Sequence, residues 1–312
     1  MERPDLVTIV VTVFNKELFV QQCIDSVLAQ TYTNLELIVI DDGSTDASGS
    51  IIESISDHRV RRIVQDNSGV CHARNRGLVN AEGQWILFLD GDDWLDPHHL
   101  ETLLTSNVEN TDLMVSGWIT VDEGSSGKVQ EYKSKKVAEH ELLAGSPWIL
   151  HAALIRRQFL IDHGLRFSAD LNRLSCEDNR FWFEVCRNAT LQLVDYPGAY
   201  YRVNVVDSRT LPEDCTSWVE GFIQSTRLNL GDVEQAGPDH FVVLVGSIEN
   251  VIEERGARID ESRLRQLKAL HAHCLVQYFR NNMSPTLGMV TRRVVGLAIF
   301  SKMKQLQKMI RL

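Results

Sequence analysis

Residues 86–96 read ILFLDGDDWLD, an apolar run that ends in a cluster of acidic residues. A short, continuous run of branched and aromatic side chains is typical of a strand that is buried on both faces. Asp96, followed by a proline, fits the N-cap of a helix and accounts for one of the acids. Asp90, Asp92 and Asp93 remain, and like charges this close repel unless a cation lies among them. The stretch therefore predicts a buried strand with a charged site at its carboxyl end.

Similar apolar runs alternate with helical patterns through the first third of the chain. The strand-like runs are LVTIVVTV (6–13), LELIVI (35–40), VRRIV (60–64) and QWILFL (84–89), and the helical patterns lie at about 20–28, 51–55 and 70–81. This βαβα order predicts an α/β fold with a largely parallel sheet that is covered by helices on both faces. Ligands of such sheets bind beyond the carboxyl ends of the strands.

The alternation becomes less regular after residue 105. Short strands are predicted at TDLMVSGWIT (111–120), ILHAALI (149–155) and LQLVDY (191–196), with a hairpin or loop over 121–136 and a helix around 177–187. From about residue 238 the pattern is helical to the end. We therefore expect one domain over 1–235 and a C-terminal helical region over 236–312.

Composition limits the classes of function. The chain has 312 residues, of which 44% are hydrophobic and 24% charged, as in ordinary globular proteins. A net charge of −10 argues against binding to nucleic acid, which requires a basic surface. The six cysteines form no CxxC pair, and the N-terminal stretch MERPDLVTIVVTVFN has no secretory pattern. Together with the lack of a long apolar segment, these features predict a cytoplasmic protein.

Paired acids follow two of the predicted strands. Asp41 and Asp42 come after LELIVI, and Asp90 and Asp92 come after WILFL. The ends of parallel strands meet at one edge of a sheet, so these carboxylates should converge there. Polar loops can carry such acids by chance, but a Mg²⁺ or Mn²⁺ ion would relieve their repulsion, and these ions bind one or two carboxylates together with phosphate oxygens. The pattern favours a phosphate-bearing substrate that is bound with a metal.

Six motifs occur in a characteristic order. They are VTVFN (11–15), SVLAQTY (26–32), LELIVIDDGSTD (35–46), NSGVCHARNRG (67–77), ILFLDGDDWLDP (86–97) and CEDNRFW (176–182). Together they resemble the family-2 inverting glycosyltransferases with a GT-A fold, over roughly residues 5–205. The resemblance implies a Rossmann-like, mostly parallel sheet flanked by helices, here with a C-terminal helical extension. It also implies transfer of a sugar, with inversion, from a UDP-sugar to an acceptor hydroxyl in the synthesis of cell-surface polysaccharide or glycolipid.

The resemblance implies roles for residues on the donor side, within about 1–105, whereas about 106–235 would face the acceptor. Phe14 and Asn15 match positions that hold the nucleotide base, Phe14 as the aromatic that stacks on uracil. Asp41 and Asp42 match an acidic pair that binds uracil and ribose. Arg74 would face the base or the diphosphate, and its neighbour Arg76 is the less favoured candidate.

The DGD sequence at 90–92 matches the DxD element of the family. Asp92 would be the more direct ligand of Mn²⁺ or Mg²⁺, Asp90 would assist it, and Asp93 would lie beside the donor sugar. A metal held in this way stabilises the charge that develops on a leaving diphosphate.

The general base implied by the resemblance is Asp178, with Glu177 as the alternative. One positioned carboxylate suffices to take a proton from an acceptor hydroxyl. The sequence SCED (175–178) also fits a capping box that opens the following helix. The two roles are compatible, since a capping carboxylate is held rigidly.

The chain departs from the family at YYRVNVVDSR (200–209), where Asn204 replaces a histidine that many relatives carry. Arg202 or Arg209 would then contact the diphosphate. Trp94 and Trp148 are candidates for stacking on the acceptor sugar, although large aromatic side chains more often lie in a core.

Three other functions fit parts of the pattern. A nucleotidyltransferase also combines an α/β sheet with a carboxylate-bound metal, but it would usually carry a glycine-rich phosphate loop after the first strand, which VTVFNKE lacks. A module that binds nucleotide sugars without catalysis would not need Asp92 and Asp178 together. A glycosidase would pair two carboxylates without a metal.

The tail, residues 285–312, has six basic side chains and no acid, so the rest of the chain carries a charge of −16 within the net −10. Its apolar residues recur near helical spacing, which predicts an amphipathic helix on an anionic membrane surface. Packing of this helix on the acidic domain is the alternative. A membrane role would suit a lipid-linked saccharide acceptor at the inner face of the plasma membrane.

Overall fold

The computed structural model describes residues 5–123, 129–137, 146–172, 174, 176–203, 216–232, 244, 246–249, 251 and 260–281. The chain divides into two compact units, residues 1–229 and residues 230–312. The donor and acceptor roles that the sequence assigns to ranges of the chain stay predictions.

The strands of the first unit lie close to the apolar runs of the sequence. They are β1 (Val7–Val13), β2 (Leu35–Asp41), β3 (Val60–Val64), β4 (Trp85–Asp90), β5 (Trp94–Leu95), β6 (Leu113–Asp122), β7 (Val129–Tyr132), β8 (Ala153–Arg156) and β9 (Leu191–Val203). The helices are α1 (Val20–Leu28), α2 (Ser48–Ser54), α3 (Val70–Asn80), α4 (His99–Thr105), α5 (Arg157–Asp162), α6 (Glu177–Asn188) and α7 (Thr216–Asp232), which ends in the second unit. The patterns did not predict α5 or α7.

Within the described residues these strands form one mixed sheet, in the order β3-β2-β1-β4-β8-β6-β9-β5, with β7 beside β6. The four strands from β3 to β4 are parallel. β8 runs antiparallel to both β4 and β6, whereas β6 and β9 are parallel. The predicted α/β class and the parallel first half are confirmed, and the antiparallel strands lie in the second half.

Both faces of the sheet are covered by apolar side chains. In β1, Ile9 and Val11 pack with α1 on one face, and Val10 packs with α3 on the other. Alternate residues of a strand point to opposite faces, which is why a doubly covered strand must be apolar throughout. Gly77 of α3 lies so close to β1 that an added Cβ would be 2.2 Å from Val10 Cγ1.

Several predicted boundaries were wrong, and β9 continues to Val203, well beyond the strand predicted at 191–196. The run 149–155 begins as a 3₁₀ turn, Leu150–Ala152, and the strand starts only at Ala153, because a continuous apolar run does not distinguish the two conformations. The helix after Asp96 begins at His99, so the predicted N-cap lies outside it. The Asp96 carboxylate still accepts a hydrogen bond from the main-chain N–H of His98, at 2.9 Å.

The second unit contains α8 (Glu261–Asn281), which confirms the helix predicted over SRLRQLKALHAHCLVQYF (262–279). The basic tail at 285–312 lies outside the described residues. None of the helices in the described ranges has the length and the apolar character that a membrane span requires.

Candidate active site

The carboxyl ends of β1, β2 and β4 bring the predicted acids to one edge of the sheet. Val13 pairs with Asp41 across β1 and β2, and Thr12 pairs with Asp90 across β1 and β4. A cavity of about 670 Å³ opens at this edge. Among the side chains that line it are Phe14, Lys16, Asp42, Arg74, Asp90, Asp92, Asp93, Trp118, Ser146, Trp148, His151, Glu177, Asp178, Tyr201 and Arg202. The fold thus brings most of the predicted site residues together around one cavity.

Arg74 joins two of the acidic clusters. Its Nη2 lies 2.8 and 3.1 Å from the two carboxylate oxygens of Asp90, and its Nη1 lies 3.0 Å from Oε1 of Glu177. The side chains of Arg74 and Glu177 are only 3% and 6% exposed. Burial alone would lower the pKa of Arg74, but Asp90 and Glu177 raise it above its ordinary value. Arg74 is therefore a permanent cation that links β4 to the start of α6.

Asp92 lies nearer the solvent and pairs with a different cation. Its Oδ2 is 2.7 Å from Nζ of Lys16, and both side chains are about a fifth exposed, at 19% and 20%. The main-chain carbonyl of Asp92 accepts a hydrogen bond from Nε of Arg202, at 2.7 Å. Two residues thus hold the DxD element. Arg202 of β9 binds its main chain, and Lys16, which follows β1, binds the carboxylate of Asp92.

Asp93 is buried beneath this pair. Its Oδ1 accepts a hydrogen bond from the main-chain N–H of Arg202 at 2.8 Å, and its Oδ2 lies 3.6 Å from Nδ1 of His151. Burial, with the charges of Asp92 and Asp90, raises the pKa of Asp93 well above its ordinary value. Burial also disfavours the charged form of His151 and lowers its pKa to about 4, so this histidine is neutral at pH 7. Among the described residues, six acidic and three basic side chains line the cavity, so acidic groups are in excess there.

Asp178 stands at the first turn of α6, where it lines the cavity. It accepts hydrogen bonds from the main-chain N–H of Asn179, at 2.9 Å, and from the side chain of Ser146. Burial and the neighbouring charge of Glu177 raise the pKa of Asp178 to about 6, although Ser146 and Arg74 oppose the shift. A carboxylate with this pKa is charged at pH 7 and can still accept a proton readily.

The predicted capping box at 175–178 is wrong. Helix α6 begins at Glu177, and Cys176 precedes it with φ = 97°, in the left-handed region. Asp178 is therefore the second residue of the helix, whereas a capping box would require it to be the third. The sequence motif does not determine the backbone angle at Cys176, and this angle sets where the helix begins.

The residues that were predicted to bind the base of the nucleotide lie around the loop after β2. Phe14 is 43% exposed and lines the cavity. Asn15 has φ = 51°, and its Oδ1 accepts a hydrogen bond from the main-chain N–H of Thr45, at 2.8 Å. Asp41 Oδ1 accepts one from the N–H of Ser44, at 2.9 Å. Asn15 and Asp41 are not among the lining residues of the cavity, and their contacts hold the loop 42–46 against the end of β1.

Asp42 is engaged on both carboxylate oxygens. Oδ1 accepts hydrogen bonds from Nε2 of Gln65 at 2.7 Å and from the N–H of Ser68 at 2.8 Å, and Oδ2 accepts one from the N–H of Gly69 at 2.8 Å. Gly69 has φ = 90°, which only glycine adopts readily, and it directly precedes α3. These contacts join the end of β2 to the start of the helix that carries Arg74. Direct contact of Asp42 with a nucleotide stays a prediction.

Arg202 has a structural role as well as a place in the cavity. Each of its three guanidinium nitrogens donates to a protein oxygen, on Asp92, Glu123 and Gln22. Its guanidinium also lies 4.4 Å from the ring centre of Trp94. Arg202 therefore holds the DxD element in position, while its predicted contact with a diphosphate stays untested. Arg209 and Asn204 lie outside the described residues.

The two tryptophans predicted for the acceptor side are packed differently from each other. Trp94 stacks on Tyr200, with ring centres 5.0 Å apart, and is not among the residues that line the cavity. Trp148 lines the cavity but is almost completely buried, in edge contact with Trp182 at 5.5 Å. Stacking of either one on an acceptor sugar stays a prediction.

Sequence reasoning did not identify three residues of the site, Lys16, Ser146 and His151. Lys16 had a local signal, because it directly follows Phe14 and Asn15 at the end of the first strand. Ser146 and His151 had none, since they lie just before and within an apolar run that predicts a strand. His151 contacts Asp93 and Ser146 contacts Asp178 only because the tertiary fold brings this region to the end of β4 and to the start of α6.

The acidic residues offer part of a metal site. In the ranges that the structure covers, no group of three or more His, Cys, Asp and Glu side chains has the geometry of a complete protein site. Mg²⁺ and Mn²⁺ bound to nucleotides need only one or two carboxylates, because phosphates and water supply the other ligands. Asp92, beside Asp90 and within the excess negative charge of the site, fits this partial type.

Comparison with known proteins shows the family of the chain. Residues 8–172, more than half of the chain, match the family described as Glycosyl transferase family 2. The chain belongs to this family. Glycosyltransferase GlyA of Streptococcus pneumoniae serotype 4 is 43% identical over 122 residues, which are 38% of this chain and 18% of GlyA. Across four curated relatives the chain spans 18% to 62% of the relative's length.

Solved structures of glycosyltransferases share the fold of this family member. TarS of S. aureus in complex with UDP-GlcNAc has a TM-score of 0.64 at 19% identity, over 88% of this chain and 81% of TarS. The mannosyltransferase PcManGT of Pyrobaculum calidifontis, in complex with GDP-Man and Mn²⁺, has a TM-score of 0.57 at 17% identity, over 99% of this chain and 84% of that one. At these identities the similarity shows the GT-A fold and confirms the fold implied by the sequence motifs.

Proposed function

We propose that the protein transfers a sugar from a UDP-sugar to an acceptor hydroxyl, with a divalent metal and with inversion at the sugar carbon. The observation that carries the proposal is the position of Asp178, a carboxylate with its pKa raised to about 6, in the same cavity as Asp90 and Asp92. The cavity thus offers ligands for a diphosphate and its cation, and it also offers a base. A binding module would need only the first.

On the donor side, the exposed ring of Phe14 offers a surface for a nucleotide base at the edge of the cavity. The choice of UDP is supported by the UDP and UDP-GlcNAc complexes of TarS, whereas PcManGT was solved with GDP-Man. Lys16 and Arg74 supply positive charge on the two sides of the DxD element. They would attract the diphosphate into a cavity that otherwise carries excess acid.

Asp92 would be the direct carboxylate ligand of Mn²⁺ or Mg²⁺, because both oxygens of Asp90 already contact Arg74. When bound, such a cation supplies Lewis-acid stabilisation of the charge that develops on the leaving diphosphate. Arg202 would keep Asp92 in place through the main-chain carbonyl. Asp93, which accepts a hydrogen bond from the N–H of Arg202, would lie beside the donor sugar.

Asp178 would take the proton from the acceptor hydroxyl as that oxygen attacks the sugar carbon. Ser146 and the N–H of Asn179 donate hydrogen bonds to the carboxylate and thereby orient it. A single in-line displacement with one base inverts the configuration at the carbon. Glu177 is less suited to this role, because it is buried and paired with Arg74.

The first prediction tests donor binding. A UDP-sugar with Mn²⁺ should raise the melting temperature of the wild-type protein, since a ligand at 100 times its Kd stabilises the native state by about 2.7 kcal/mol. We expect Asp92→Asn to abolish the part of this shift that depends on Mn²⁺ and to leave the melting temperature of the free protein close to wild type. A thermal-shift panel of UDP- and GDP-sugars, with and without Mn²⁺, provides the measurement.

Asp25→Asn is the matched control, because Asp25 is exposed on α1 and its carboxylate contacts Gln21 on the same helix, away from the cavity. This variant should shift like the wild type. An undiminished Mn²⁺-dependent shift in Asp92→Asn would contradict the metal assignment. Binding of a UDP-sugar without transfer to any acceptor, in a panel of saccharides and lipid-linked saccharides, would instead favour a binding module.

The second prediction concerns the tail. We propose that residues 285–312 bind an anionic membrane surface, where each basic side chain contributes about 1 kcal/mol. Full-length protein should float with vesicles that contain phosphatidylserine at low salt, and protein that ends at Ser284 should not. A full-length variant with the six basic residues of the tail changed to glutamine controls for loss of the segment itself. Equal sedimentation of full-length and truncated protein would exclude the membrane role.

A further inference from the structure

We propose that Lys16 is an internal counter-cation of Asp92 that must leave this carboxylate before a divalent cation can bind there, and that the diphosphate of the donor draws it away. The inference rests on the proposed function, since it concerns the order in which the same site takes up its cation and its nucleotide. It predicts that the free protein binds the metal weakly and that the nucleotide creates most of the metal affinity.

The backbone of Lys16 is held on both sides, so the side chain starts from a fixed point. Its N–H donates a hydrogen bond to Oγ of Ser48, at 2.7 Å. Its carbonyl accepts hydrogen bonds from the N–H groups of Phe19 and Val20, both at 2.9 Å, where α1 begins. From this point Nζ reaches Oδ2 of Asp92 at 2.7 Å inside the cavity. The four-carbon stem can turn to another acceptor while the backbone stays in place.

The two carboxylates of the DxD element are neutralised in different ways. Asp90 is paired with Arg74, whose buried guanidinium also pairs with Glu177 and cannot move without breaking that second ion pair. Lys16 has no such second ion pair among the described residues, and it is about a fifth exposed. The Lys16–Asp92 pair is therefore the one that can open.

A divalent cation on Asp92 would stand within a few ångströms of the Lys16 ammonium, and the two positive charges would repel strongly because both side chains are mostly buried. Phosphate oxygens change this balance, because they offer Lys16 a new anionic partner and offer the metal additional ligands. Metal and diphosphate then favour each other's binding, and the coupling is reciprocal by thermodynamic necessity. Lys16 would be the residue that sets the size of this coupling.

The test measures binding of Mn²⁺ directly, by the loss of the EPR signal of free Mn²⁺, with and without UDP. Without nucleotide, Lys16→Gln should bind Mn²⁺ about tenfold more tightly than the wild type, because the competing ammonium is gone. UDP should tighten Mn²⁺ binding by a factor about ten times smaller in Lys16→Gln than in the wild type. Lys16→Arg keeps the charge and should bind Mn²⁺ alone as weakly as the wild type.

Lys133→Gln is the control for the loss of one positive charge, since Lys133 follows β7 and pairs with Asp195 outside the cavity. It should behave as the wild type, and thermal unfolding verifies that all variants are folded. If Lys16→Gln binds Mn²⁺ alone as weakly as the wild type or more weakly, the inference is overturned. The proposed function is unaffected by this result as long as a UDP-sugar still raises the melting temperature of the wild type. Absence of Mn²⁺ binding in every variant, even with UDP, overturns both.

Discussion

Asp178→Asn is expected to lower kcat for sugar transfer by about 10²–10⁴-fold, the usual contribution of a general base. Binding of the UDP-sugar should stay close to wild type, because Asp178 acts on the acceptor oxygen in the proposed mechanism. The asparagine keeps the size of the side chain and can still contact Ser146, but it cannot accept a proton at neutral pH. Initial rates at saturating donor and acceptor give the measurement.

The pH dependence provides a second readout of the same residue. Burial and Glu177 raise the pKa of Asp178 to about 6, so the charged, base-competent form dominates above this pH. The wild-type kcat should therefore fall about tenfold per pH unit below pH 6, and this limb should be absent from the residual activity of Asp178→Asn. Asp162→Asn, exposed at the end of α5, is the matched control. Near-normal turnover in Asp178→Asn would leave this residue a structural role, and Glu177→Gln would then have to be measured.

Arg74→Met is expected to have the largest effect on stability. Removing one partner of a buried ion pair costs about 3–5 kcal/mol, because the other charge stays buried without compensation. Most of the loss should come from Glu177, which is 6% exposed, since Asp90 is 36% exposed and can be solvated. Urea unfolding at pH 7 measures the change in the free energy of unfolding.

Two variants separate this loss from other effects of the substitution. Arg76→Met removes an exposed arginine two positions along the same helix, where surface changes usually stay within about 0.5 kcal/mol. The double variant Arg74→Met with Glu177→Gln removes the uncompensated charge and should recover part of the lost stability. An unfolding free energy of Arg74→Met equal to that of Arg76→Met would show that the buried pair does not hold α3 to α6.

Local patterns were sufficient for the parallel half of the sheet. The runs at 6–13, 35–40, 60–64 and 84–89 became β1 to β4 with boundaries shifted by one residue at most. Strands covered on both faces must be apolar throughout, and this requirement is visible in the sequence alone. The same logic failed for 149–155, because an apolar run is compatible with a 3₁₀ turn as well as with a strand.

The sequence by itself determined the class of the fold, the family and the set of acids at the strand ends. Each of these depends on neighbours along the chain: apolar periodicity, turn residues and the order of short motifs. The position of Asp41 and Asp90 at one edge also follows from local information, since parallel strands separated by helices all end on the same side of the sheet.

Only the tertiary structure decided how these acids are neutralised. Arg74 and Glu177 are 103 residues apart in the chain, and the pairing of Lys16 with Asp92 and of His151 with Asp93 likewise joins distant segments. His151 lies just before β8, and the antiparallel insertion of this strand between β4 and β6 brings it to Asp93. A pattern of apolar and polar residues specifies which face a side chain occupies, but ion pairs and the resulting pKa shifts depend on which elements become neighbours, and this is settled by the packing of the whole sheet.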